Sequence, residues 1–149
     1  MSEASPSPHD RIRVFISHAS ADAWVAKQLR AHIQHRGADV FLDEADIAHG
    51  DDFEERIHDA EERCSELVVL LTPWAMERPW VWIEISFFKH SRKRIVAILH
   101  GVSMAEIASH PQGAILPRKL NMVDINDVDS YFDQLSQRVR AEAARGSNA

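Results

Sequence analysis

The sequence is short of cysteine, glycine and positive charge, and each shortage excludes something. A single cysteine, Cys64, rules out an intramolecular disulfide and fits a reducing compartment. It stands at the end of a helical pattern and reads as a small buried apolar group. Seventeen Lys and Arg against 23 Asp and Glu leave a net charge of -6, which argues against nucleic acid as a partner, because non-specific binding needs a basic face. The local exception, Lys89, Arg92, Lys93 and Arg94, follows a helix and complements its C-terminal dipole. No run approaches the roughly 18 apolar residues of a membrane helix, and the N-terminus shows no apolar signal segment. The expectation is a cytoplasmic protein with no membrane partner. None of the nine histidines combines with Cys or another His at a spacing that supports a metal site. There is no G-x-G-x-x-G and no P-loop, so no Rossmann or Walker phosphate cradle is expected.

What is present suits one folded domain. The chain has 149 residues, 45% of them hydrophobic, enough for one core. Residues 1–10, with Pro6 and Pro8, read as a disordered leader, residues 11–140 as a single domain, and residues 141–149 as a frayed tail. Strands are expected at 13–17, 39–43, 67–72, 94–99 and 121–125. Leu67–Thr72 and Arg94–Leu99 are apolar without alternation, as strands covered on both faces are. Helical stripes stand between them: Val25, Leu29 and Ile33, with Ser20 as N-cap and Gly37 at the C-terminal end; Phe53, Ile57, Ala60 and Cys64; Pro79 to about His90; and Val128, Tyr131, Phe132, Leu135 and Val139. Residues 73–78 read as a loop and 101–117 as irregular with one short helix near 104–109. Five alternations of strand and helix predict a doubly wound α/β domain with helices on both faces. Five strands favour the flavodoxin-like parallel sheet in the order 2-1-3-4-5.

That order places a ligand crevice outside the carboxyl ends of strands 1 and 3, where the chain winds away in opposite directions. Ser17 to Ser20 arrive there after strand 1, and Trp74 to Glu84 after strand 3. Asp43 and the acidic loop 44–52 can reach it from strand 2. Pro79 suits the first position of a helix, and Trp80 and Glu84, four apart, then share a face. Glu84 is the one carboxylate in an otherwise apolar stretch, and burying a charge costs several kcal/mol unless it is paired. It therefore sits at a solvent edge, in a pair, or in a site. Helix N-termini suit phosphate, indole faces suit a flat heterocycle, more so a cationic one, and a carboxylate beside a sugar ring can stabilise an oxocarbenium ion or attack C1. Glycoside hydrolysis ordinarily needs a second carboxyl to protonate the leaving group. A leaving group that is already cationic, as nicotinamide in NAD is, does without it. NAD glycohydrolysis is one option among several at this level. His18 as a turn residue, Asp43 as a strand end and Trp80 as core are the structural alternatives.

Three motifs carry a resemblance. Val14-Phe-Ile-Ser-His-Ala-Ser20 resembles the first conserved box of Toll/interleukin-1 receptor (TIR) domains. Phe41-Leu-Asp43, followed by an acidic loop ending at Gly50, resembles their second strand and BB loop. Trp80-Val-Trp-Ile-Glu84 resembles their W-x-x-x-E signature. The resemblance spans about residues 11 to 140 and implies the same flavodoxin-like fold. It also implies an NAD-cleaving activity, to nicotinamide and ADP-ribose or cyclic ADP-ribose, with Glu84 catalytic. Phe15, Ser17, His18, Ser20, Asp43 and Trp80 are implied at the substrate site. NAD would be the substrate, with no resident cofactor. Loop 44–52 is implied to gate the site and to carry TIR–TIR self-association, and a stand-alone effector in defence or stress signalling would answer to a separate activating protein. The sequence departs from active animal and plant members in having Trp82 and Ile83 inside the signature, and no arginine in the loop after strand 1. The competing reading is a non-enzymatic TIR–TIR signalling adaptor; a glutamate at position 84 favours the enzyme.

Overall fold

Five parallel strands form one sheet in the order β2-β1-β3-β4-β5. The computed structural model describes residues 11–42, 53–113, 116 and 121–147. The strands are β1 (Arg13–Ser17), β2 (Asp39–Leu42), β3 (Glu66–Leu71), β4 (Arg94–Leu99) and β5 (Asn121–Asp124). The helices are α1 (Ala23–His35), α2 (Phe53–Arg63), α3 (Pro73–Met76), α4 (Pro79–His90), α5 (Met104–Ser109) and α6 (Val128–Ser147). The flavodoxin-like order expected from the alternation is the observed one.

The period of two along each strand divides the core into two layers. Phe15, Leu67, Val69, Leu71, Ala97 and Leu99 face α2, α3 and α4, where Ala60, Val81, Ile85 and Phe88 meet them. Val14, Ile16, Val68, Leu70, Val96 and Ile98 face the opposite way, against Leu29 and Ile33 of α1 and Tyr131, Phe132 and Leu135 of α6. All six residues of β3 are buried, which explains its apolar run without alternation.

Three local readings need correction. Ser20 is not the N-cap of α1: a 3-10 turn occupies Ser20–Asp22, and α1 starts one turn later with Asp22 at its N-cap position. Residues 73–78 are not all loop, because Thr72 caps α3 by accepting from the Ala75 N–H, with Pro73 at the first helical position. The closing helix does not stop near 140 but runs to Ser147. Gly37 does hold the left-handed conformation past α1, at φ +94, where a Cβ would meet Val139 of α6 at 3.0 Å.

Cys64 is buried, as its position in the stripe predicts. Burial pushes its thiol from 9.0 up to about 11, against the opposing charges of Lys93, Arg13 and Arg63. A thiol held neutral in the folded chain stabilises it fully below about pH 9. That contribution is lost as the pH rises through about 11, roughly 3 kcal/mol in all. Tyr131, also raised chiefly by burial, adds a loss of the same sign above its ordinary value. Urea titrations of wild type and Cys64→Ala between pH 8 and 11 check this. The variant is expected to lose about 2 kcal/mol less over that range, and equal losses would remove Cys64 from the account.

Candidate functional site

The chain reverses its winding direction between β1 and β3, which pair directly in parallel. Two segments emerge side by side from their carboxyl ends: residues 17–22 after β1 and residues 72–84 after β3. Pro79 starts α4, so Trp80 lies in its first turn and Glu84 one turn further. Glu84 is 1% exposed. The alternative of a solvent edge is therefore overturned, since Glu84 belongs to the buried set of α4 with Val81, Trp82, Ile85 and Phe88.

The contact between Phe15 and Phe88, with ring centroids 5.5 Å apart, sets the register of β1 against α4. Two residues onward from Phe15, about 6.6 Å along the strand, stands Ser17. One turn back from Phe88, about 6 Å along the helix, stands Glu84. A crossover helix between parallel strands runs opposite to them, so both steps lead to the carboxyl edge. Ser17 and Glu84 therefore both lie toward that edge of their elements. Ser17 is fully buried on the same strand face as Phe15, and among the described residues its hydroxyl oxygen has no hydrogen-bond partner. A buried hydroxyl without a partner calls for an explanation, and a ligand in the crevice would supply one.

The other expected site residues divide. His18 is buried beside Ser17. Trp80 is half-buried against the α4 layer of the core, and Arg78 lies over its ring at 5.7 Å. Phe15 is a buried core residue, stacked on Phe41 at 5.4 Å. Ser20 is exposed at the start of the 3-10 turn. Asp43 and the loop 44–52 lie outside the described residues. Trp82 is buried, with its indole N–H donating to the Met76 carbonyl at 2.9 Å and its ring stacked on His110 at 5.0 Å.

Two buried polar residues at this edge escaped the sequence reading. Thr72 donates its hydroxyl to the Asp22 carboxylate at 2.5 Å, and both are buried. The signal available was Thr-Pro at a strand end, an N-cap followed by proline; its partner fifty residues away gave none. A groove of about 370 Å³ lies nearby, lined by Met76, Trp82, Ile83, Phe87 and His110 among others. It opens on the other side of α4 and does not include Glu84. Among the described residues no group of three His, Cys, Asp or Glu could hold a metal ion, and no helix is long and apolar enough to cross a membrane.

Comparison with known proteins adds the following. The family model described as the TIR domain matches residues 14–139. A curated relative from Brachypodium distachyon, named "Probable 2' cyclic ADP-D-ribose synthase BdTIR", is 29% identical over 106 residues. The match takes in 70% of this chain and 47% of the relative, so the chain spans about half of that protein's length. The crystal structure of the TIR domain of the Toll-related receptor TRR-2 from Hydra magnipapillata superposes with a TM-score of 0.62 at 22% identity, covering 89% of this chain and 98% of that one. The TIR domains of the activated Roq1 resistosome superpose with a TM-score of 0.55 at 15% identity, covering 92% and 84%. Both structural likenesses are likenesses of fold.

Proposed function

The chain belongs to the TIR-domain family, and from that premise we propose that it cleaves the nicotinamide–ribose bond of NAD, with Glu84 as the catalytic carboxylate. The observation that carries this reading is the burial of Glu84 on an apolar face of α4, which follows β3, the strand paired with β1 at the switch point of the sheet. An apolar side chain would fill that volume without the desolvation cost of a carboxylate. The plant relative's name gives a product, 2′ cyclic ADP-D-ribose, which follows chemically when nicotinamide leaves NAD and the remaining ADP-ribosyl group closes on itself.

The step needs one carboxylate. The C1′–N bond breaks and its electron pair stays on the pyridinium nitrogen, which leaves as neutral nicotinamide. Glu84 stabilises the positive charge that develops at C1′, or attacks it. Water then adds at C1′ and gives up a proton, which yields ADP-ribose, or a hydroxyl of the same molecule does so and closes the ring. Ser17 and His18 hold the substrate from the β1 side, and Trp80 offers an indole face to the pyridinium ring. Glu84 is covered as it stands, so entry of NAD requires the crevice to open. Self-association through residues 44–52, or a separate activating protein, would supply that opening.

Because the charge on the leaving group replaces a second acid, NAD and NADH separate this mechanism from ordinary glycoside hydrolysis. Purified protein at high concentration is expected to release nicotinamide from NAD and to leave NADH, whose dihydropyridine carries no positive charge, intact. Equal cleavage of both would show that a general acid is at work and would sink the single-carboxylate step. No release from NAD under conditions of full self-association would favour an adaptor.

A further inference from the structure

The two walls of the crevice are joined by an unbroken line of hydrogen bonds. It begins at Ala19, directly after His18, whose carbonyl accepts from the Asp22 N–H at 2.9 Å. The Asp22 carboxylate accepts from the Thr72 hydroxyl at 2.5 Å, within the range of charge-assisted O–H···O⁻ bonds. The same hydroxyl oxygen accepts from the Ala75 N–H at 3.0 Å, and the Thr72 carbonyl accepts from the Met76 N–H at 3.0 Å. The line ends at Trp82 of α4, whose indole N–H donates to the Met76 carbonyl at 2.9 Å. Trp82 stands two residues before Glu84. Every side chain in the line is buried.

We propose that Asp22, Thr72 and Trp82 form a positioning relay that fixes α4, and with it Glu84, against the exit of β1. The inference rests on the reading of this crevice as the NAD site for its catalytic consequence, though not for its structural one. Thr72 is the central joint. Its one proton goes to Asp22 and its lone pair to α3, so the hydroxyl can face neither way without breaking a bond. Apolar packing alone would let α4 slide, because dispersion contacts carry no direction. The hydrogen bonds set a single distance between the substrate-holding segment 17–20 and the carboxylate. Displacement of a reacting group by about 1 Å can cost on the order of 100-fold in rate.

Thr72→Val keeps the shape of the side chain and removes the hydroxyl, and Thr72→Ser restores it. Trp82→Phe assigns the Trp82 indole N–H signal in the proton NMR spectrum of the whole chain. In Thr72→Val that signal is expected to shift and its exchange with solvent to quicken about tenfold. For NAD cleavage, kcat is expected to fall about 10- to 100-fold with a much smaller change in KM, and Thr72→Ser to recover most of both effects. An indole signal that stays as in wild type while Asp22 and Ala75 amides respond would overturn the relay, because the change would end at the cap of α3. A shifted indole with unchanged kcat would overturn its positioning role. Wild type inactive on NAD would count against the function of the crevice, and the indole result would still decide the relay.

Discussion

Glu84→Gln is expected to abolish NAD cleavage, lowering kcat at least about 10³-fold, while the protein stays folded and still binds NAD. The substitution keeps size and shape and removes the negative charge. A loss of that size corresponds to about 4 kcal/mol of transition-state stabilisation. It is the scale on which a single electrostatic group facing a developing charge acts in a water-poor site. Stability should change little, because the amide keeps the size and shape of the side chain. Calorimetric titration of the variant with NAD and its urea midpoint check both halves. A variant that unfolds, or that keeps turnover within tenfold of wild type, would contradict the assignment.

Arg138→Met should cost about 3–5 kcal/mol of folding stability, the scale of breaking a buried ion pair by removing one partner. Glu66 is buried at the start of β3. Its carboxylate accepts from Arg138 at 2.5 and 3.1 Å and from the Tyr131 hydroxyl at 2.8 Å. Both donors lie on α6, so the cluster ties that helix to the central strand. Methionine keeps the apolar stem of Arg138 and leaves the buried charge with Tyr131 alone. Adding Glu66→Gln removes that charge, and the double variant is expected to recover more than half of the loss. Urea denaturation of the two single variants and the double variant measures the coupling. A cost below about 1 kcal/mol for Arg138→Met would show that the pair behaves as a surface pair.

The fold was legible because its strands are buried on both faces and its helices are punctuated. β4 and α4 begin and end where the apolar run and Pro79 place them. β3 starts one residue earlier than its apolar run, at Glu66. A carboxylate can stand there because Tyr131 and Arg138, 65 and 72 residues later, reach it, and no local pattern carries that. Ser20 was misplaced as a cap because a 3-10 turn leaves the same spacing as a longer N-terminal loop. At the site, the position of Glu84 at the switch point could be read from topology. Its burial could not, since Trp80 and Glu84 four apart fit a surface face as well as an inner one. The line from Asp22 through Thr72 to Trp82 turns on one bond between residues fifty apart, and a pair so distant in sequence has no periodicity to betray it.

The most direct test is nicotinamide release from NAD by wild type and Glu84→Gln, measured side by side over a range of protein concentrations, with products separated by chromatography. The account predicts release by wild type that rises more steeply than protein concentration where self-association opens the crevice, and none above background in the variant. Release of equal size from both would contradict it, and would place the chemistry away from Glu84.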